Sequence, residues 1–576
     1  KFPATGTLTG TIAHDRNLDT IPESGSVSFY LRLFNARQSE TTPKDFKLLV
    51  HAVTTEWNEG LGLDMVNYTD TDAASWKYAN NTKVAQVATA SFSSATPSDY
   101  GGKYISFYDS SRNRYNFWFN DGDDEAPTLP GEEIEVDISG DSNAADVADT
   151  FKTVADARDE FGATRATAVV TVTNATAGTV DVLYAPTTDS GDITTGVNTT
   201  GSNSTPWTST GGDFDNGVGG IKNTFTASFD TGFEDIELDI TPLVEQWIDS
   251  PGNVLGSKSN YGMLIRMSSS LEDGTESYYT KKFFARGSQF FFKRPVIEAR
   301  WDSSKKDDRG AFYYSSSLAP AADNLNTLYL YNYVRGQLKN IPSVGTTGSI
   351  LVSLYSGSAD NSAPAGSKLK LSIGGNVAAA ADLNATGGYV STGIYSCSLA
   401  FTGSTSLTKM FDLWHSGTTD ADQAVTTPEY FTGSITPVVV NSTWPGQEMN
   451  PNQNYVSKIT NLRPVYSSTN KSARFRLYTR KKNWSPSIYT ISSIDMPISI
   501  VDDAYYRISD AKDGETIIDY GTGSNYYTRL SYDVSGSYFD LDMSLLESDK
   551  TYEIKFVYYL NGQYAEQEQS FKFRVE

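Results

Sequence analysis

The sequence predicts a mainly β protein: several β-sandwich domains in series, with one small α+β insertion. Three observations point there. Apolar residues recur at period two through most of the chain, in short runs separated by Gly, Ser, Asn and Pro. Tyr 35, Phe 28 and Gly 46 weight the composition toward strands and turns. Long helical spacing is sparse. At 576 residues the chain exceeds what one core fills, so three or four domains are expected. A net charge of -23 opposes nucleic acid as the main partner, because phosphate binding needs a basic surface. One cysteine, Cys397, excludes a disulfide framework and a multi-cysteine metal site. No apolar run is long enough to span a membrane as a helix.

In chain order, residues 6–12, 24–34 and 46–52 alternate as strands. Residues 53–60 (VTTEWNEG) resemble an element of DNRLRE-type β-sandwich domains, and that resemblance implies a following loop whose tryptophan is Trp76 or Trp207. The halves of this first sandwich, 1–95 and 205–302, lie further apart than one compact domain needs. An insertion over 96–204 fills the gap: a hairpin at 104–108 and 115–119, a strand at 132–138, a helix within 142–161 and a strand at 166–174. The helix is read from Ala144, Val147, Ala148, Phe151 and Val154, which share one face. The Thr/Ser/Gly/Asp-rich stretch 185–213 reads as a solvated connector.

Residues 239–301 carry the densest pattern. Thr241-Pro242 opens a short helix with Leu243, Val244 and Trp247 on one face, the Thr hydroxyl expected as its cap. A buried strand at 262–267, an aromatic strand before residue 293 and a closing strand at 295–301 follow. The charged run Lys305-Lys306-Asp307-Asp308-Arg309 reads as a hinge between domains. A second sandwich is expected over 311–440, with Tyr395, Cys397, Leu399 and Phe401 on one strand face. After a linker near 444–452 comes a C-terminal region, 445–576. There Arg474, Arg476 and Tyr478 alternate with Phe475 and Leu477, strands are expected at 504–508, 526–530, 538–541, 552–560 and 564–575, and a small extra piece at 455–500. Asn561-Gly562 is the strongest hairpin signal.

Several of these runs resemble known families. Residues 53–60 (VTTEWNEG), the 239–247 segment, Asn260-Tyr261-Gly262, residues 281–292 and Arg294-Pro295 resemble the recurring elements of DNRLRE-type β-sandwich domains. Where that pattern has Arg-Glu, this chain has Arg286-Gly287, so an internal Arg–Glu pairing does not carry over. The order of elements in the insertion looks like a small α+β module of tailed-bacteriophage virion proteins. Leu546…Tyr552-Glu553-Ile554 resembles the tyrosine corner of immunoglobulin-like sandwiches, and the sandwiches as a set are expected to be jelly-roll or immunoglobulin-like. Taken whole, with residues 328–342 included, the chain resembles large structural proteins of tailed phages, particularly those of marine bacteria. The resemblance implies no catalytic residues.

Candidate sites are few. His14, His51 and His415 are scattered, which gives poor support to a histidine metal site or a Ser-His-Asp triad. Cys397 sits on an apolar strand face and reads as a buried, inert thiol. Asp121, Asp123, Asp124 and Glu125 form the most concentrated carboxylate loop, a weak Ca²⁺ candidate set against a solvated hairpin tip. No other cofactor is indicated. Phe284, Arg286, Phe290, Phe291 and Phe292 mix aromatic and basic residues, which reads either as core and inter-domain packing or as a protein–protein interface. Arg480, Lys481, Lys482 and Trp484 form a basic island in an acidic chain, a second interface candidate.

The expected function is therefore that of a non-enzymatic virion structural protein, located in the phage particle. It would be a head decoration, neck, baseplate or tail-fibre component. Other virion proteins and further copies of itself are the expected partners, with a host-surface glycan or protein as a further one. The alternative is a bacterial or archaeal surface adhesin that binds carbohydrate or another surface protein. The sequence starts at Lys1 with neither a secretory leader nor a wall anchor, which sets the expectation toward the virion.

Overall fold

Short alternating runs have one way to hide their apolar faces, which is to pair into sheets and stack them. The computed structural model is built in this way. It describes residues 11–37, 44–59, 73–180, 192–215, 223–250, 253–272, 281–377, 382–403, 407–416, 429–437, 455–482, 484–485, 488, 498–560 and 562–576. The expected strand residues 6–10, the linker at 444–452, Gly60 and Asn561 lie outside these. The chain divides into two compact units: Lys1–Thr20, Tyr30–Gln289 and Arg294–Ile297 form the first, and Ile21–Phe29, Phe290–Lys293 and Glu298–Glu576 the second.

In the first unit the strand Phe46–Ala52 lies between Thr224–Phe229 and Met263–Met267, antiparallel to both. Its alternation turns Phe46, Leu48 and Val50 inward. The helix Thr241–Ile248 buries Leu243, Val244 and Trp247 as its spacing requires. Its cap differs from expectation. Ile240 is the cap residue, and the Asp239 carboxylate accepts the Thr241 N–H at 2.9 Å, so the hydroxyl of Thr241 is not the capping group. The helix also buries Glu245, whose carboxylate meets the buried Arg16 guanidinium at 2.8 Å.

Three expectations, over 6–12, 262–267 and the aromatic run before residue 293, are corrected. Ile12 begins a helix, Ile12–Asn17, because the Thr11 hydroxyl accepts the His14 N–H at 3.1 Å and caps it. Met263–Met267 is half-buried, with Ile265 exposed, since it pairs on one side only. The aromatic run makes no strand: Phe283 forms a single bridge to Asn35, and Phe291–Lys293 is a turn of 3-10 helix.

Around the helix Ala144–Asp156 a separate core forms. Asn143 caps the helix by accepting the N–H groups of Ala145 (2.9 Å) and Asp146 (3.2 Å), and Val147, Ala148, Phe151 and Ala155 are buried. One sheet here holds Tyr104–Tyr108, Arg114–Asn120 and Glu132–Asp137, the last two parallel. The other runs Ile193–Thr199, Val87–Phe92, Val169–Asn174, Phe161–Ala166. Ala88, Ala90 and Phe92 belong to the core, so its packing begins before residue 96. The stretch expected as a solvated connector supplies the edge strand Ile193–Thr199, anchored by buried Ile193.

The second unit holds two main cores. The first lies under the sheet ordered Asn326–Tyr331, Ile394–Phe401, Ala385–Ser391, Ile350–Gly357, Met410–His415, Glu429–Ile435. Met410–His415 is buried at every residue, between two antiparallel neighbours. Cys397, Leu399, Phe401, Val352 and Trp414 share this core. The second core is a sandwich. Tyr455–Ile459, Ala473–Lys481, Gly536–Leu541 and Ser531–Asp533 form one sheet; Phe571–Val575, Lys550–Leu560 and Ala504–Asp510 lead the other. Phe475, Phe539, Ile554 and Phe573 fill the space between them. The strand Tyr455–Ile459 is part of this sandwich rather than a separate piece. Residues 526–530 make only the bridge Tyr505–Arg529, not the expected strand. The stretch 564–575 holds two strands instead of one, Gln563–Glu566 and Phe571–Val575. Leu560 pairs with Gln563, and Gly562 takes φ 81°, a value suited to glycine in a hairpin turn. The Tyr552 hydroxyl donates to the Glu547 carbonyl at 2.8 Å, the bond of a tyrosine corner.

Candidate junction site and interaction surfaces

Within the second unit, the charged run 305–309 is not a solvated hinge. Two hydrogen bonds lay it along the edge strand Ser531–Asp533: Tyr532 N–H donates to the Lys305 carbonyl and Asp307 N–H to the Tyr532 carbonyl, both at 3.0 Å. The chain then turns in a 3-10 helix, Asp308–Gly310, which Asp307 caps by accepting the Arg309 N–H at 3.2 Å. Gly310 must lack a side chain here, since a Cβ would come within 2.9 Å of the Asp533 carbonyl oxygen.

Arg309 then enters the neighbouring core. Its Nε donates to both oxygens of Asp412 at 3.2 Å, its Nη2 to Asp412 Oδ2 at 2.6 Å and to the Tyr329 carbonyl at 2.9 Å, and its Nη1 to Asp307 Oδ2 at 2.7 Å. Trp414 Nε1 also donates to Asp412, at 2.8 Å. Room for the guanidinium comes from Gly433 on the next strand, where a Cβ would lie 2.4 Å from Asp412 Oδ1 and 2.9 Å from Arg309 Nε. The Phe431 ring covers it at 5.5 Å. Nε, Nη1 and Nη2 all donate, to two carboxylates and a carbonyl, and such pairing is what makes a buried charge tolerable.

Asp308 is placed differently. Its carboxylate accepts the Thr327 N–H at 2.6 Å and the Tyr532 hydroxyl at 2.5 Å, both neutral donors. Burial pushes Asp308 up to about 6, against the Tyr532 hydrogen bond. Burial likewise takes Asp307 up to about 6, against the pull of Arg309. It works against the charge of Arg309 too, yet Asp412 and Asp307 hold that group above its usual value. Burial takes the Tyr329 hydroxyl up to about 12.

The sequence-nominated residues fare unevenly. In the first unit Phe284 is half-buried and its N–H donates to the Phe34 carbonyl at 3.0 Å. Arg286 is mostly exposed and pairs with Glu59 at 3.1 Å, so this chain makes an Arg–Glu contact with a partner other than its sequence neighbour. In the second unit Phe290 and Phe291 are exposed, while Phe292 packs on the sandwich core and meets the Tyr552 ring at 6.4 Å. Arg480 lies 5.8 Å over the Trp484 ring, Lys481 and Lys482 are exposed, and the four close one end of the strand Ala473–Lys481.

Asp121, Asp123, Asp124 and Glu125 do not converge on a common point. Asp124 instead accepts the Asp121 N–H at 2.9 Å, as in an ordinary turn, and no group of three metal-ligating side chains occurs among the described residues. Cys397 is buried, and burial raises its thiol to about 12. His51 is held by the Asp215 carbonyl (3.2 Å) and the Thr224 hydroxyl (3.1 Å). His415 lies 2.8 Å from the Ser353 hydroxyl, a Ser–His pair, but Ser353 is 0% exposed and also donates to Asn384 at 2.7 Å. Burial lowers both of these histidines, followed for His415 by Lys368.

Sequence reasoning missed the Arg309 cluster. One signal could have found it: Asp412 interrupts the otherwise apolar run 410–414, and a carboxylate there calls for a buried cation. No described helix is long and apolar enough to cross a membrane, which says nothing of β-barrels. Neither a family model nor a curated protein matches the chain. Among solved structures it is similar to a marsupial T cell receptor at 8% identity, with 46% of this chain and 71% of that chain covered; the TM-score of 0.14 leaves that likeness without weight in any argument.

Proposed function

We propose that this protein is a structural component of a tailed-bacteriophage virion, as head decoration, neck, baseplate or tail fibre, acting through protein–protein assembly and host-surface contact. The supporting observation is the junction at 305–310. A connector bonded into one sheet and ion-paired into the next core makes two successive β domains a single body. A particle component that holds spacing or transmits force needs such coupling; independent modules on flexible linkers do not. The runs resembling DNRLRE-type domains and phage virion modules support the same reading. Exposed Phe290, Phe291, Lys481 and Lys482 offer aromatic and basic contact groups to partner subunits.

The test is the solution mass of the native protein together with negative-stain images of phage particles carrying a specific antibody. Discrete oligomers and labelling at one symmetric position on the particle are expected. A monomer whose antibody marks only bacterial envelopes would replace this reading with the adhesin.

A further inference from the structure

We propose that the junction at 305–309 is an acid-tightened latch, in which proton uptake by Asp308 strengthens the docking of the two β cores of the second unit. The geometry supplies the reason. Asp307 and Asp412 share the one guanidinium of Arg309, while the neighbouring Asp308 carboxylate meets only the Thr327 N–H and the Tyr532 hydroxyl, so these three carboxylates outnumber the guanidinium between them. Arg309 donates to Asp412, Asp307 and the Tyr329 carbonyl, and the short hydrogen bonds of Asp308 come from neutral donors, the Thr327 N–H and the Tyr532 hydroxyl.

The groups facing Asp308 from the other elements do not correct the imbalance. From the loop before the strand Ala504–Asp510 comes Asp502, a further negative charge. Lys306 is the near cation, and it is divided between Asp502 at 3.3 Å and Asp503 at 3.7 Å. The strand Asn326–Tyr331 contributes the hydroxyls of Tyr329 and Tyr331, whose ionisation is opposed by burial first, then by Tyr538 and Asp307. The edge strand contributes Tyr532, and burial and then Asp308 hold its proton firmly in place.

A proton taken from solvent onto Asp308 Oδ1 removes one surplus charge. Oδ1–H then donates to the Tyr532 oxygen, the Tyr532 O–H turns to the Asp502 carboxylate, and Oδ2 keeps the Thr327 N–H. When the two cores part, Asp308 returns to water and to an ordinary carboxylate value. The docked state therefore binds the proton more tightly. By linkage, docking is weakest above about pH 6, where both forms are ionised. It strengthens as pH falls through that value, and levels off below the ordinary carboxylate range, where both forms are protonated.

Hydrogen exchange on the full chain tests this at two amides that bridge the junction, Asp307 N–H and Tyr532 N–H, at pH 5 and pH 7.5, corrected for intrinsic rates. Their protection should rise by about tenfold or more at the lower pH. Amides of Phe475 and Leu477, inside one sandwich, serve as the control. Asp308→Asn, which keeps an acceptor and a donor without the charge, should give the protected state at pH 7.5 and flatten the pH dependence. Tyr532→Phe removes a bond that favours the ionised form and should move the midpoint to higher pH. Equal or lower protection at pH 5 in the parent protein overturns the proposal. So does an Asp308→Asn variant that keeps the full pH dependence.

Discussion

Two short stretches of the second unit, Phe290–Lys293 and the charged run 305–309, are placed against their polarity. Asp307 and Arg309 are 3% and 8% exposed, whereas Phe290 and Phe291 are 54% and 41% exposed. Charge is carried inside where the cost of leaving water is offset donor by donor: Arg309 finds Asp412, Asp307 and the Tyr329 carbonyl. The phenylalanines stay outside because their backbone forms a single 3-10 turn, and such a turn brings only Phe292 onto the core. Backbone pairing and donor count, more than side-chain hydropathy, decide which stretch is buried.

The largest effect should come from breaking the charged side of this comparison. Arg309→Ala leaves Asp412 and Asp307 buried without a cation, and about 3–5 kcal/mol of stability should be lost in urea titrations of the full chain. Adding Asp412→Leu removes the stranded carboxylate and should recover part of the loss. A single-variant cost under about 1 kcal/mol would mean that the cluster is solvated and the comparison false.

The same contrast explains what the sequence made legible. Phe46–Ala52 was readable to the residue, and the inward Phe475 and Leu477 of Ala473–Lys481 from their alternation, because period two dictates which side chains turn inward. The helix Ala144–Asp156 was readable from its apolar face, and the pairing of Lys550–Leu560 with Gln563–Glu566 from the hairpin signal between them. The junction was not, because its partners are remote: Asp412 and Tyr532 lie 103 and 224 residues from the groups they bind. A charged run carries no local mark of a distant counter-charge, so it reads as surface. The strand Ile193–Thr199 was hidden in the same way, since its Thr-rich composition is that of a loop and only pairing with Val87–Phe92 makes it a strand. Of the proposed contact residues, the sequence could mark Phe290, Phe291, Lys481 and Lys482, because their composition is unusual in this chain.

A smaller effect tests a neutral buried bond in the sandwich beside the junction. Tyr552→Phe removes the hydroxyl that donates to the Glu547 carbonyl but keeps the ring against Phe573 and Phe292. The expected cost is about 0.5–1.5 kcal/mol in the same titration. A cost equal to that of Arg309→Ala would erase the distinction between stranding a charge and losing one hydrogen bond.

The smallest stability effect should be at the exposed phenylalanine. Phe290→Ser removes a ring that is more than half in water, so unfolding should change by less than about 0.5 kcal/mol. Its effect on association should be far larger if the ring meets another subunit, because aromatic anchors at the centre of an interface commonly contribute 2 kcal/mol or more, roughly thirtyfold in affinity. Sedimentation of Phe290→Ser against the parent protein separates the two quantities. Unchanged stability with weakened assembly marks Phe290 as a contact residue. Unchanged stability with unchanged assembly leaves it as exposed surface and moves the search for the contact to Arg480, Lys481, Lys482 and Trp484. A loss of stability would instead show that the ring packs within the folded chain, and that the exposed and buried stretches differ less than their accessibilities suggest.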